Sequence, residues 1–142
     1  MRYWMLIIRI VDGGYFVWRG IHKWLVPPAT WLIPRVTPAL PSTPLAPIIR
    51  KFVYPHLIAF GLGLGTLEVL AGSLLVIHVF RRGAAAVLAI LNTVFLLTLG
   101  FVEPHDLELN LLMGILNLMF ATRALDETGR RNRAALPGQG KR

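Results

Sequence analysis

The sequence contains no cysteine, and only 15% of its 142 residues are charged. The absence of cysteine excludes disulfides, thiolate metal sites and haem attached through thioether bonds. Soluble proteins carry about 25% charged residues. Together with a mean hydropathy of +0.60, this shortage of charge places the chain in the membrane class.

A formal net charge of +8 is the one feature that would suggest nucleic acid as a partner. The positive residues, however, lie at the ends of apolar runs and in the C-terminal tail. Basic residues in that arrangement orient helices in a membrane. We therefore expect the lipid bilayer as a partner and no nucleic acid. No phosphate loop or nucleophile–base arrangement is present, so the sequence leaves open whether the protein is an enzyme.

Four apolar segments are candidates for membrane-crossing helices. They cover about residues 3–26, 57–80, 83–101 and 107–122. The sequence therefore predicts an all-α fold, an integral membrane four-helix bundle over residues 1–125. A long proline-rich external loop, residues 27–56, joins helices one and two, and residues 126–142 form a basic cytoplasmic tail.

The distribution of basic residues predicts the orientation of the bundle. An even number of crossings places both termini on one side, together with Arg81, Arg82 and the basic tail. The second loop on the opposite side, residues 103–108, contains no Lys or Arg. The positive-inside rule then places both termini in the cytoplasm. In a competing hypothesis the first helix lies in the membrane plane as an amphipathic anchor, which leaves three crossings.

The first helix carries charged residues along one face. Arg9, Asp12, Phe16, Arg19 and Lys23 recur at steps of three and four, so they share one side of the helix. An ionisable residue near the centre of a membrane helix costs roughly 2.5–3.5 kcal/mol on insertion scales. This helix therefore needs a polar partner inside the bundle.

The second helix offers that partner in Glu68, its one ionisable residue near the midpoint. Three glycines share the face of Glu68 and allow another helix to approach closely: Gly61, Gly65 and Gly72. Depth along the helices favours an ion pair between Glu68 and Arg19, with Arg9 as the alternative partner. Asp12 is expected to pair with Arg9 within the first helix.

Asparagines extend this polar face to the fourth helix. Asn110 and Asn117 lie on one side of that helix, whereas the third helix contributes Asn92 and is expected to face mostly lipid. We expect a polar seam between helices one, two and four. It has two interpretations: a structural one, in which charges specify helix register, and a functional one, in which they line a substrate, proton or quinone path.

The pattern resembles the DoxX family of small four-helix bacterial membrane proteins. The residues that carry the resemblance are Arg9, Gly13, Phe16, Gly20 and Lys23, then Gly65, Glu68, Gly72 and Arg82, and Glu108-x-Asn110-Leu-Leu. The resemblance implies a subunit of the bacterial inner membrane that is associated with redox complexes. One branch of the family is the small subunit of thiosulfate:quinone oxidoreductase, which makes a quinone the implied ligand. The family gives no catalytic role to the matched residues Arg9, Lys23 and Glu68.

The loop between helices one and two is longer than the family's usual connection, which points to a specialised partner. Prolines recur in it at every third residue: Pro38, Pro41, Pro44 and Pro47. This is the period of a polyproline II helix, and at about 3.1 Å per residue such a rod is roughly 28 Å long. Because apolar residues such as Trp31 and Phe52 would otherwise face water or lipid, we expect the rod to dock on a neighbouring subunit. The alternative is a flexible external linker.

Three histidines, His22, His56 and His105, are weak candidates for metal ligands at the outer ends of helices. Imidazoles with carboxylates suit a transition metal, but the spacings match no ligand motif, and we predict no metal site. The sequence favours a non-catalytic, accessory transmembrane subunit of a larger redox complex, which contacts other membrane subunits. The alternative is a quinone-reactive subunit, in which Glu68 acts with Arg19 or Arg9 on the quinone headgroup. A small permease is a third hypothesis.

Overall fold

The computed structural model describes residues 2–100, 102 and 104–134, and every regular element in that part of the chain is a helix. The helices are α1 Arg2–Leu25, α2 Pro28–Ala39, α3 Ala46–Ile48 with a π-helical segment Ile49–Val53, α4 Leu57–Val76, α5 Arg81–Leu99 and α6 Pro104–Ala134. The predicted all-α class is confirmed. Two helices, α4 and α5, are long and apolar enough to cross a membrane, by length and composition.

Several predicted boundaries are wrong where helices connect. Helix α4 ends at Val76 and not at residue 80, because the turn before α5 places His78 and Phe80 in the left-handed region, with φ of 65° and 49°. Helix α6 begins at Pro104, where a missing N–H costs nothing, and continues to Ala134. The first part of the predicted tail is therefore helical. Residues 135–142 of that tail lie outside the described residues.

The prediction of a polyproline rod in residues 27–56 is wrong. Residues Pro28–Ala39 form helix α2, with Pro28 in its first turn and Pro34 and Pro38 inside it. An internal proline removes a backbone hydrogen bond, but α2 gains a buried face in return. Leu32, Val36 and Ala39 lie on that face at helical steps of four and three, a period that the proline repeat obscured.

Helix α2 and the π-helical segment fold back onto the same chain. Leu32 and Val36 pack in one apolar cluster with Ile49 and Val53 and with Leu99 at the end of α5. The hydroxyl of Thr43 also donates a hydrogen bond to the carbonyl of Leu97, at 2.8 Å. The apolar face of the segment is thus covered by its own protein, and it does not require a neighbouring subunit.

Helices α1 and α4 are antiparallel and touch through glycines. A Cβ atom on Gly13 would lie 2.7 Å from the carbonyl oxygen of Gly72, and one on Gly20 would lie 2.5 Å from that of Gly65. Real side chains do not tolerate such distances, so only glycine permits this approach. The predicted close packing on Gly65 and Gly72 is present, whereas Gly61 packs against Pro28 of α2.

The expectation that the third helix faces mostly lipid is wrong. Helix α5 buries Ala84, Ala85 and Leu88 in the main core cluster, together with Met113 and Phe120 of α6. Its small residues let α6 pack closely along it, and a Cβ on Gly114 would lie only 3.5 Å from that of Asn92. Helices α5 and α6 therefore form a second tightly packed pair beside α1 and α4.

The glycine contact gives a stability prediction. Gly20→Ala places a methyl group against the backbone of α4, and overpacking of this kind costs about 1–3 kcal/mol. Thermal unfolding in mild detergent should show the loss as a lower melting temperature. Gly14→Ala is the matched control, because nothing lies within 4 Å of its Cβ position and Ala is the better helix former. Equal melting of the two variants would contradict the packing described above.

Candidate functional site

Glu68 is fully buried on α4 and binds two basic residues of α1. Its Oε2 accepts a hydrogen bond from the Lys23 ammonium group, and its Oε1 lies 3.8 Å from Nε of Arg19. Lys23 is 5% exposed, so the pair is removed from solvent. The predicted ion pair between Glu68 and Arg19 is present, but Lys23, which was not predicted as a partner, is closer to the carboxylate. The alternative partner, Arg9, is wrong, because Arg9 contacts His78 in the turn that follows α4.

Aromatic rings surround the two cations. The Arg19 guanidinium lies 4.9 Å from the ring centre of Phe95 on α5, and the Lys23 ammonium lies 5.5 Å from the Trp31 ring on α2. Cations are attracted to the faces of such rings, more strongly when water is excluded. Helices α2 and α5 therefore complete a site whose charges come from α1 and α4.

A cavity of about 570 Å³ opens beside this ion cluster, a volume in the usual range for small-molecule sites. Its polar edge is formed by Arg19, His22, Lys23 and Arg35. Apolar and aromatic side chains line the rest, among them Trp31, Val36, Val53, Phe60, Phe95 and Leu99. The cavity exists because α2 folds over the ends of α1 and α5.

The charges at the cavity do not cancel. Arg35 on α2 lies 3.9 Å from Asp106 on α6, so the charged groups are three cations, Arg19, Lys23 and Arg35, against the carboxylates of Glu68 and Asp106. One positive charge remains, not counting His22. A ligand with hydrogen-bond-accepting oxygens and an apolar body suits this combination of donors and walls.

The rest of the predicted seam forms a second polar region. Asp12 is 2% exposed, and its Oδ1 accepts a hydrogen bond from the Asn117 amide of α6 at 3.3 Å. The expected pair between Asp12 and Arg9 is not formed. Asn110 lies on the same side of α6 and donates to the backbone carbonyl of Asp106 at 2.7 Å. The charged face of α1 thus has three partners: Glu68 binds Arg19 and Lys23, Asn117 binds Asp12, and His78 contacts Arg9.

The loop residues that were predicted to contact a partner lie in two different environments. Trp31 turns inward to the cavity, whereas Phe52 and the four periodic prolines, Pro38, Pro41, Pro44 and Pro47, are exposed. Of the three histidines, His22 lines the cavity. In the described ranges, no group of three or more His, Cys, Asp or Glu residues is placed to hold a metal ion.

Sequence reasoning missed three residues at the site. Phe60 and Phe95 sit in long apolar runs, where no local signal distinguishes a cavity wall from a lipid-facing position. Arg35 follows Trp31 by one helical turn, and that spacing is informative only once residues 28–39 are known to be a helix.

The chain matches no protein-family model, and the searches found no similar curated protein and no similar solved structure.

The ion cluster gives a second stability prediction. Glu68→Leu removes the carboxylate and leaves Lys23 buried without a counter-charge, which typically costs about 3–5 kcal/mol. Chemical unfolding in detergent should show this loss. The double variant Glu68→Leu/Lys23→Leu should recover a large part of it, because no unpaired ammonium group then remains. If the double variant is less stable than the single one, Lys23 is not buried as described.

Proposed function

We propose that the protein is a membrane subunit of a bacterial redox complex and that it binds a quinone in the cavity beside Glu68. In this proposal α1, α4, α5 and α6 cross the inner membrane as a four-helix bundle, with both termini in the cytoplasm. The observation that carries it is the edge of the cavity. Lys23 and Arg19 line an apolar and aromatic space, and both are paired with the buried carboxylate of Glu68. The resemblance to the DoxX family points the same way.

The distribution of side chains on α1 supports the membrane-crossing role. Its charges are turned inward, with Asp12 and Lys23 buried, while Trp18 and Leu25 are 70% and 76% exposed. Helix α6 likewise exposes an apolar face that includes Leu112 and Ile115. Soluble proteins rarely leave such large apolar faces in contact with water. A bilayer would cover them, and it would also explain why the polar residues lie inside.

The residues around the cavity suit a quinone. Lys23 and Arg19 are donors for carbonyl oxygens, and the aromatic rings of Trp31 and Phe95 offer flat apolar surfaces. When bound, a quinone supplies two-electron, two-proton redox chemistry. Glu68 acts as a positioning residue, since it holds both cations at the cavity and keeps them from moving to solvent.

An accessory role beside this binding role is favoured by the exposed surface of the α2–α4 connection. The four periodic prolines remain exposed although α2 has folded, and Ile48 and Phe52 beside them are more than half exposed. We propose that this surface contacts another subunit of the complex, which would donate the electrons. The apolar face of α2 gives no support to a subunit contact, because it is already covered by Ile49, Val53 and Leu99 of the same chain.

Ligand binding tests the first part of the proposal. A short-chain benzoquinone added to the purified protein should quench the fluorescence of Trp31, and Trp31→Phe identifies that signal. Lys23→Gln and Arg19→Gln should each weaken binding about tenfold or more, because a hydrogen bond from a charged donor is worth about 1.5–3 kcal/mol. Arg50→Gln is the control, since this exposed cation of the π-helical segment does not line the cavity. An equal dissociation constant for all variants would refute the site.

Isolation from native membranes tests the accessory role. Mild-detergent purification followed by mass spectrometry should recover a redox enzyme in stoichiometric amount. Phe52→Ser should reduce that recovery, because it replaces a large exposed apolar contact. Ile58→Ser is the control, as Ile58 is also exposed but lies on α4 outside the connection. Recovery of the protein alone, with its quinone, would remove the accessory role and leave the binding role intact.

A further inference from the structure

Three buried asparagines share an orientation that the ion cluster does not explain. Each donates its amide N–H to the carbonyl four residues earlier in its own helix: Asn92 to Leu88 at 2.8 Å, Asn110 to Asp106 at 2.7 Å and Asn117 to Met113 at 3.0 Å. A backbone carbonyl only accepts hydrogen bonds, so the atom beside it must be the amide nitrogen. The side-chain oxygens of all three therefore point away from that contact, and each is buried without a hydrogen-bond partner.

Two carboxylates add oxygens of the same kind. Oδ2 of Asp12 and Oδ2 of Asp106 are also buried and have no partner among the described residues. We call the five residues the oxygen file: Asp12, Asn117, Asn92, Asn110 and Asp106. All five expose acceptor atoms to the interior, and no described side chain donates to these atoms.

Three residues of the oxygen file lie along one side of α6. Asp106, Asn110 and Asn117 are spaced by four and seven residues, which places them on one helix face over about 16 Å. Asn92 of α5 faces Gly114, between Asn110 and Asn117, because its Cβ lies 3.5 Å from the Cβ position of that glycine.

The two ends of the file are also defined. Asp12 continues it beyond Asn117 with the 3.3 Å hydrogen bond. At the other end Arg35 lies 3.9 Å from Asp106 and lines the cavity. The oxygen file thus has Asp12, at the centre of α1, at one end and Asp106, which contacts the cavity residue Arg35, at the other.

These buried oxygens require hydrogen-bond donors. Buried acceptors are nearly always hydrogen-bonded, and an ionised carboxylate without a counter-charge is strongly disfavoured in an apolar interior. The charged or titratable groups on the elements around Asp12 include Tyr3, Arg9, Tyr15, Arg19, His22 and Lys23 on α1, Glu68 on α4, His78 in the turn after α4, Arg81 and Arg82 on α5, and His105, Asp106 and Glu108 on α6. Oδ2 of Asp12 is nevertheless buried without a hydrogen-bond partner among the described residues.

We infer that the oxygen file holds a chain of water molecules that carries protons between a protonated Asp12 and the cavity edge at Asp106. Water supplies two donors per molecule and fits sites lined by several acceptors. In each transfer one O–H bond breaks as the next forms, so only H⁺ is displaced and no oxidant is required. Delivery of protons to a bound quinone rests on the proposed function, whereas the water chain and the proton on Asp12 do not.

Infrared spectroscopy of the purified, quinone-free protein tests this inference. A protonated carboxyl group has a C=O stretching band that shifts in D₂O, and Asp12→Asn should remove that band from the spectrum. Asn92→Leu interrupts the middle of the file, and it should slow the deuterium shift of the Asp12 band at least tenfold. Thr93→Val is the matched control, because Thr93 is the next residue of α5 but is exposed and bonded only to its own helix. It should leave the rate unchanged.

A spectrum that Asp12→Asn does not change at any pH would overturn the inference, and so would an exchange rate that Asn92→Leu does not slow. Stabilisation by added Na⁺ or K⁺ together with a missing band would also overturn it, and would assign the oxygens to a metal cation. If Asn92→Leu does not fold, Asn110→Leu replaces it. Because no quinone is present, a failure of quinone binding in the cavity variants leaves this test unaffected.

Discussion

The structure depends on one buried interaction, in which the Glu68 carboxylate of α4 binds Lys23 and Arg19 of α1. Without it, the C-terminal half of α1 could not be placed in an apolar interior, because each unpaired charge there is costly. The contact requires the two backbones to be close, and the glycine pairs Gly13–Gly72 and Gly20–Gly65 provide that closeness. The ion cluster therefore depends on the glycine contacts, which bring α1 and α4 close enough for it to form.

The segment between α1 and α4 adds a cavity to this helix pair. By folding as a helix and a π-helical segment, it covers the end of α5 and encloses a cavity against the cations of α1. Its four periodic prolines, Pro38, Pro41, Pro44 and Pro47, are exposed, and a missing N–H group is least costly at such positions. The same segment that was expected to contact only a partner thus also contributes Trp31 and Arg35 to the site.

The two polar regions of the bundle have different electrostatic character. The cavity edge carries an excess of positive charge, whereas the oxygen file presents acceptors without donors. They meet where Arg35 approaches Asp106. Under the proposed function, a ligand with accepting oxygens would meet the oxygen file at this contact.

The sequence by itself determined the all-α class, the apolar helices, the charged face of α1 and the glycine face of α4, because these follow from local composition and helical period. It did not reveal α2, since proline content and a three-residue repeat concealed a helical face that is stable only when packed. It named Arg19 but not Lys23 as a partner of Glu68, and it misjudged α5. Only the tertiary structure decided those points, along with the cavity and the direction of the asparagine oxygens. Which side chain reaches a buried charge depends on how helices cross in three dimensions, and spacing along one helix does not contain that information.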